Sequence, residues 1–182
     1  MSMLAIEDFI PRQFWGPREP GYPLRIQAPV PYVFVGYVRK NYLGPQAKRS
    51  PGPDPDQLGC CQELCYILNG EYNNKLPDIR FNFMICGSSS PEIYEGRGWT
   101  RQPTLPLKYQ RLNSKSWYIG IIGDYSETDA PPAVFERIDT LLSYAMENDY
   151  LAKQYTRVDL ANPFKRKERE IVPQNYISSI YL

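Results

Sequence analysis

The chain has 182 residues, enough for one domain with a sizeable core, and its 42% hydrophobic and 23% charged content describes an ordinary globular protein. Lys plus Arg number 21 against 20 Asp plus Glu, so the net charge of +1 sets up no field for nucleic acid or an anionic membrane surface. There is no histidine, which excludes Ser–His and Cys–His nucleophiles and every His-ligated zinc site.

Residues 1–31 are rich in Pro and Gly and are expected to form an extended arm packed on a domain spanning 32–182. Met1 to Asp8 lacks a basic segment and carries carboxylates where the apolar part of a signal peptide would run. With no run of about 18 apolar residues, no membrane span is expected. These features fit either a cytosolic chain or a piece of a longer secreted or anchored protein.

Tyr32 to Val38 is a near-continuous apolar, β-branched and aromatic run, suited to a strand buried on both faces. Gly44 to Pro55 holds four Pro and two Gly and reads as a loop. Asp56 can cap the helix that follows, in which Leu58, Cys61, Leu64, Cys65 and Leu68 form one stripe and Asn69-Gly70 is the expected stop. Arg80 to Cys86 reads as a strand, Gly87 to Pro91 as a turn, and Glu92 to Gly96 as its hairpin partner. Residues 98–116 follow neither period and are expected to be a long loop, of the kind that is functional or mobile.

Trp117 to Gly123 is a second buried-type strand. Pro131-Pro132 opens a helix whose stripe is Val134, Ile138, Leu141, Leu142, Ala145 and Met146. The remainder holds a short strand near Tyr155 to Leu160, a mixed charge run from Lys165 to Glu170, and a short helix near 175–182. The order predicts an α/β fold, a mixed β-sheet flanked by helices. Aromatics make up 14% of the chain, a supply that serves a core or a groove stacking on sugars. Cys60, Cys61, Cys65 and Cys86 are too few and too clustered for a disulfide scaffold. They read as buried free thiols, with an all-Cys zinc site as the alternative.

Asp78-Ile79-Arg80-Phe81-Asn82-Phe83 and Tyr94-Glu95-Gly96-Arg97-Gly98-Trp99 resemble the Asp-Ile-Gly-Tyr-Asn-Phe and Tyr-Glu-Gly-Arg-Gly-Trp signatures of animal peptidoglycan recognition proteins. Arg12-Gln13-Phe14-Trp15-Gly16, Asn113-Ser114-Lys115-Ser116 and Ile122-Gly123-Asp124-Tyr125 match further family segments in the same order. The resemblance covers roughly residues 10–182 and implies the fold of phage-type N-acetylmuramoyl-L-alanine amidases. Amidases of the family hold zinc with two His and a Cys and place a Tyr near the metal. The matching positions here are Tyr37, Leu105, the Asp159-Leu160-Ala161 segment and Phe81, and no Cys lies beyond Cys86. Leu and Ala have no lone pair to offer a metal, so the resemblance implies a divergent, non-catalytic, insect-type member with no metal and no cofactor.

The family's disulfide between a loop Cys and the start of the first helix is also expected to be absent, since Cys60 has no partner in the preceding loop. In the family, the residues after Gly-Arg-Gly-Trp help to select the stem peptide; here they are Thr100-Arg101, and Pro103-Thr104-Leu105-Pro106 replaces the next part of the wall. A groove lined by Tyr37, Thr100, Arg101, Leu105 and Asn113 is therefore the implied ligand site. Arg101 is either a partner for a stem-peptide carboxylate or a solvated surface residue, whereas Arg97 and Trp99 read as structural. The charge run at 165–170 reads as a solvated loop, or as an electrostatic contact for a partner.

Two functions follow from the resemblance. The first is regulation of innate immune signalling through pairing with other peptidoglycan recognition receptors, with weak or no affinity for peptidoglycan. The alternative is a receptor that still binds peptidoglycan fragments in its groove. A hydrolase of other chemistry is disfavoured by the missing residue types.

Overall fold

The computed structural model describes residues 9–16, 23–38, 57–87, 90–123, 125 and 128–163. The proline-rich loop at 44–55, the capping Asp56, the charge run at 165–170 and the helix expected at 175–182 lie outside these residues. Within them, six strands make one mixed sheet in the order β1-β4-β3-β5-β2-β6. Its strands are β1 (Phe9–Ile10), β2 (Val30–Val38), β3 (Phe83–Cys86), β4 (Glu92–Glu95), β5 (Ser116–Ile122) and β6 (Leu151–Asp159). Three α-helices, α1 (Arg12–Trp15), α2 (Gln57–Asn73) and α3 (Pro132–Glu147), join them with a 3-10 helix, η1 (Leu107–Lys115).

The mixed α/β architecture expected from the element order is the one observed. β2 and β5 are the central parallel pair, in register from Tyr32 opposite Ser116 to Val38 opposite Ile122. The β3–β4 hairpin is antiparallel, with Phe83 opposite Glu95 and Cys86 opposite Glu92. Alternation along these strands divides the core into two layers. Val33, Val35, Phe83, Ile85, Trp117, Ile119 and Ile121 pack against α3. Phe34, Val38, Met84, Cys86, Tyr118 and Ile122 pack against α2, with Leu105 joining them from its loop.

Three elements differ from expectation. α2 does not stop at Asn69-Gly70 but runs to Asn73. There Lys75 takes the left-handed conformation (φ 63), and the Leu76 and Lys75 N–H groups return to the carbonyls of Glu71 and Tyr72. This is a Schellman closure built without glycine. β6 begins at Leu151, earlier than expected, because Asp149 (φ 58) closes α3 in the same way and delivers the chain straight onto the sheet edge. Its pattern of exposed and half-buried residues after Leu151 blurs the apolar signal of a strand. The segment 98–116 is also more ordered than a loop, since η1 occupies 107–115 and Arg25 bridges Arg101.

The arm contributes to the sheet directly. β1 pairs parallel with β4, Phe9 opposite Ile93 and Ile10 opposite Tyr94. Just beyond it, the buried Arg12 side chain donates to Asp78 at 2.7 Å, and Trp15 Nε1 donates to the Glu95 carbonyl at 2.9 Å.

The thiols also require correction. Cys60 and Cys86 form a disulfide, their Cα atoms 6.0 Å apart, while Cys61 and Cys65 are free. α2 crosses the end of β3 on the face where Cys86 points, so residues 26 apart in sequence become neighbours. With two sulfurs consumed in that bond, a four-Cys zinc site is ruled out.

Candidate functional site

The Tyr-Glu-Gly-Arg-Gly-Trp segment is a structural knot beside the α2 face of the sheet. Asn82 is fully buried; its Nδ2 donates to the carbonyls of Gly98 (2.9 Å) and Arg101 (2.8 Å), and its Oδ1 accepts the Tyr118 N–H (2.9 Å). Arg97, also buried, donates to the carbonyls of Ile79, Gln102 (2.7 Å) and Asp78 (3.3 Å). Trp99 lies on the other side of the sheet, among Phe9, Phe83, Trp117, Tyr144 and Tyr150, with ring centroids 4.7–5.9 Å away. Arg97 and Trp99 are thus both engaged in packing.

The wall that follows is pinned to the arm. Arg25 bridges Arg101, the Ile26 N–H donates to the Thr100 carbonyl (3.0 Å), and the Gln102 N–H donates to the Leu24 carbonyl (2.9 Å). Thr100 Oγ1 accepts a further hydrogen bond from Arg25 Nη1 at 3.0 Å. Farther along, the Thr104 N–H donates to the Arg80 carbonyl at 2.9 Å. Leu105 turns inward and is buried, and its N–H donates to Asn113 Oδ1 on η1 at 3.0 Å. Leu105 and Asn113 are therefore brought together, and Thr100 and Arg101 lie in the preceding segment, tied to Arg25 and Ile26.

Tyr37 is placed elsewhere. Its ring packs edge-on to Tyr125 at 5.9 Å in the α3-side layer, whereas Leu105 belongs to the α2-side layer. The β2 residue that shares the Leu105 side is Gly36, because strand neighbours point to opposite faces. A side chain at 36 would have its Cβ 2.9 Å from the Tyr118 hydroxyl and 3.4 Å from Leu160 Cδ1. The space over Gly36 is therefore already filled by Tyr118 and Leu160. Phe81 joins them, its ring 4.5 Å from that of Tyr118. Burial raises the Tyr118 phenol above its ordinary value; Arg80 opposes the shift and Glu71 adds to it.

These residues do not fit the zinc that the fold family implies. Gly36 has no side chain, Leu105 and Leu160 have no donor atom, and Phe81 lacks a hydroxyl. Among the described residues, no group of three or more Cys, Asp or Glu gathers that could hold a metal ion. Sequence reasoning missed Gly36, Tyr118, Arg80 and Glu71. The period-two alternation of β2 carried the signal for Gly36, since position 36, not 37, shares a face with Phe34 and Val38.

No protein-family model matches the chain. Six curated relatives do, and each is named as a peptidoglycan recognition protein. Mouse peptidoglycan recognition protein 3 is 29% identical over 181 residues, covering 96% of this chain but only 45% of its own length. The chain thus spans less than half of that relative. Among solved structures, PGRP-Hd from Alvinella pompejana superposes with a TM-score of 0.71 at 19% identity, covering 88% of this chain and 90% of that one. The human PGRP-IBETAC domain, solved in complex with glycosamyl muramyl pentapeptide, superposes with a TM-score of 0.67 at 24% identity, covering 84% of each chain. Curated relatives drawn from one family and the same amidase-like architecture support the peptidoglycan recognition proteins as the family this chain resembles.

Proposed function

We propose that this chain is a non-catalytic peptidoglycan recognition protein-like domain that regulates innate immune signalling and has weak or no affinity for peptidoglycan. One observation carries the reading: the space over Gly36 is packed with Tyr118 and Leu160, Leu105 belongs to the same layer, and the Tyr118 hydroxyl is the one polar side-chain group among these three. Zinc hydrolysis needs protein ligands that lower the pKa of a bound water, and aliphatic side chains supply none. A groove that holds a stem peptide needs concave space, and here aromatic and aliphatic groups take up part of it. The domain then acts through its surface, by pairing with other peptidoglycan recognition receptors.

The test is a titration of the purified chain with muropeptides of the lysine and the diaminopimelate type, alongside an amide-cleavage assay with added zinc. No cleavage and no saturable binding below about millimolar concentration is expected. Tight binding of either muropeptide would instead establish a non-catalytic receptor, a reading supported by the bound pentapeptide of the human neighbour. Zinc-dependent cleavage would overturn both.

A further inference from the structure

An ion pair sits on the α2 side of the sheet beside the Tyr118 plug. Arg80 Nε donates to Glu71 Oε1 at 2.6 Å, and Arg80 Nη2 donates to Glu71 Oε2 at 2.9 Å. The two ends are unequally placed: the Glu71 side chain is 2% exposed and that of Arg80 35%. Glu71 comes from the last turn of α2, while Arg80 lies between the buried Ile79 and Phe81 and is tied through its carbonyl to Thr104 in the wall. Phe81, the residue after Arg80, holds its ring 4.5 Å from that of Tyr118, so the Arg80 backbone runs beside that ring. Two parallel N–H···O bonds are the geometry in which a guanidinium recognises a carboxylate of any origin.

We propose that the Arg80 guanidinium is a carboxylate subsite of the cleft and that Glu71 is its built-in occupant, so a ligand carboxylate enters only by displacing Glu71. The ligand class is the free carboxylate of a stem peptide, and the inference rests on the weak binding proposed above, for which it supplies a cause. A buried carboxylate already paired in this way is lost only at the cost of leaving one charge uncompensated. The wild-type cleft therefore discriminates against acidic ligands although it contains an arginine.

Glu71→Gln keeps the shape and removes the competing charge. The probes are a muramyl pentapeptide whose only free carboxylate is its C-terminus, and the same peptide amidated there. Calorimetric titration of Glu71→Gln should show affinity for the free acid raised by about tenfold over the unmodified chain, with no gain for the amide. The gain should vanish in Glu71→Gln/Arg80→Ala. Equal affinity before and after the substitution, or an equal gain for the amide, overturns the proposal. Should thermal melting show that Glu71→Gln does not fold, Glu71→Asp, one methylene short of the bidentate reach, carries the test, and the free acid should then gain about threefold. Tight binding of the pentapeptide by the unmodified chain would overturn the weak-binding reading instead, and so remains distinguishable.

Discussion

Asn82 satisfies three backbone groups with one side chain, joining the Gly98 and Arg101 carbonyls to the Tyr118 N–H. Its own N–H donates to the Tyr118 carbonyl at 2.8 Å, and its carbonyl accepts the Gly96 and Gly98 N–H groups. Asn82→Ala keeps these backbone bonds but removes the side-chain bonds to the Gly98 and Arg101 carbonyls and the Tyr118 N–H, and should lower stability by about 3 kcal/mol, read as a lower urea midpoint with little change in slope. A second residue-scale effect concerns alkaline pH. Burial raises the phenols of Tyr118 and Tyr94, the latter also through its hydrogen bond to Glu92. The folded state therefore holds these protons more tightly than the unfolded state, where tyrosine titrates near 10. Their contribution is intact below that pH and is lost as pH rises above it toward the folded values. Circular dichroism across pH 9 to 12 should show unfolding beginning above about 10, and Tyr118→Phe should flatten the curve. An unchanged profile in that variant would exclude the linkage.

At the scale of the element, α2 is fixed by covalent and electrostatic ties as well as by its apolar stripe. The Cys60–Cys86 bond closes a separation of 26 residues between α2 and the end of β3. Replacing both cysteines with Ala should cost about 3 kcal/mol and lower Tm accordingly, while Cys61→Ser should leave the oxidised chain's disulfide content unchanged by thiol titration. The stripe of Leu64 and Leu68 was legible in sequence because helical spacing is local. The end of the helix was not. Gly70 is tolerated mid-helix because Glu71, one residue on, is anchored to Arg80, and Lys75 takes over the left-handed closing position. In the wall, the expected loop at 98–116 proved to be η1 and a bridge to the arm, since its hydrogen-bond partners, Leu24 to Ile26, lie far back in the chain.

For the molecule as a whole, the segment from Phe9 to Trp15 is tied into the sheet. The Arg12 side chain is 3% exposed and pairs with the fully buried Asp78, and Arg12 Nη1 reaches the Gly96 carbonyl at 3.3 Å. β1 extends the sheet from the same segment. Arg12→Ala would strand a buried carboxylate, so a loss of about 3–5 kcal/mol is expected in chemical denaturation. If stability changes by less than about 1 kcal/mol, the arm is not coupled to the domain in this way.

The class of fold, the hydrophobic pattern of β2, β5 and α3, the family signatures and the lack of histidine are all legible in the chain, because each is a matter of composition or of spacing between near neighbours. Tertiary structure alone decided which cysteines pair, that Gly36 shares the Leu105 side of β2 while Tyr37 faces α3, and that Tyr118 stands over Gly36 beside the Arg80–Glu71 pair. Alternation along a strand says which residues share a face but not which face meets which helix. That choice is made only when segments distant in the chain pack against one another, and what stands over Gly36 follows from it.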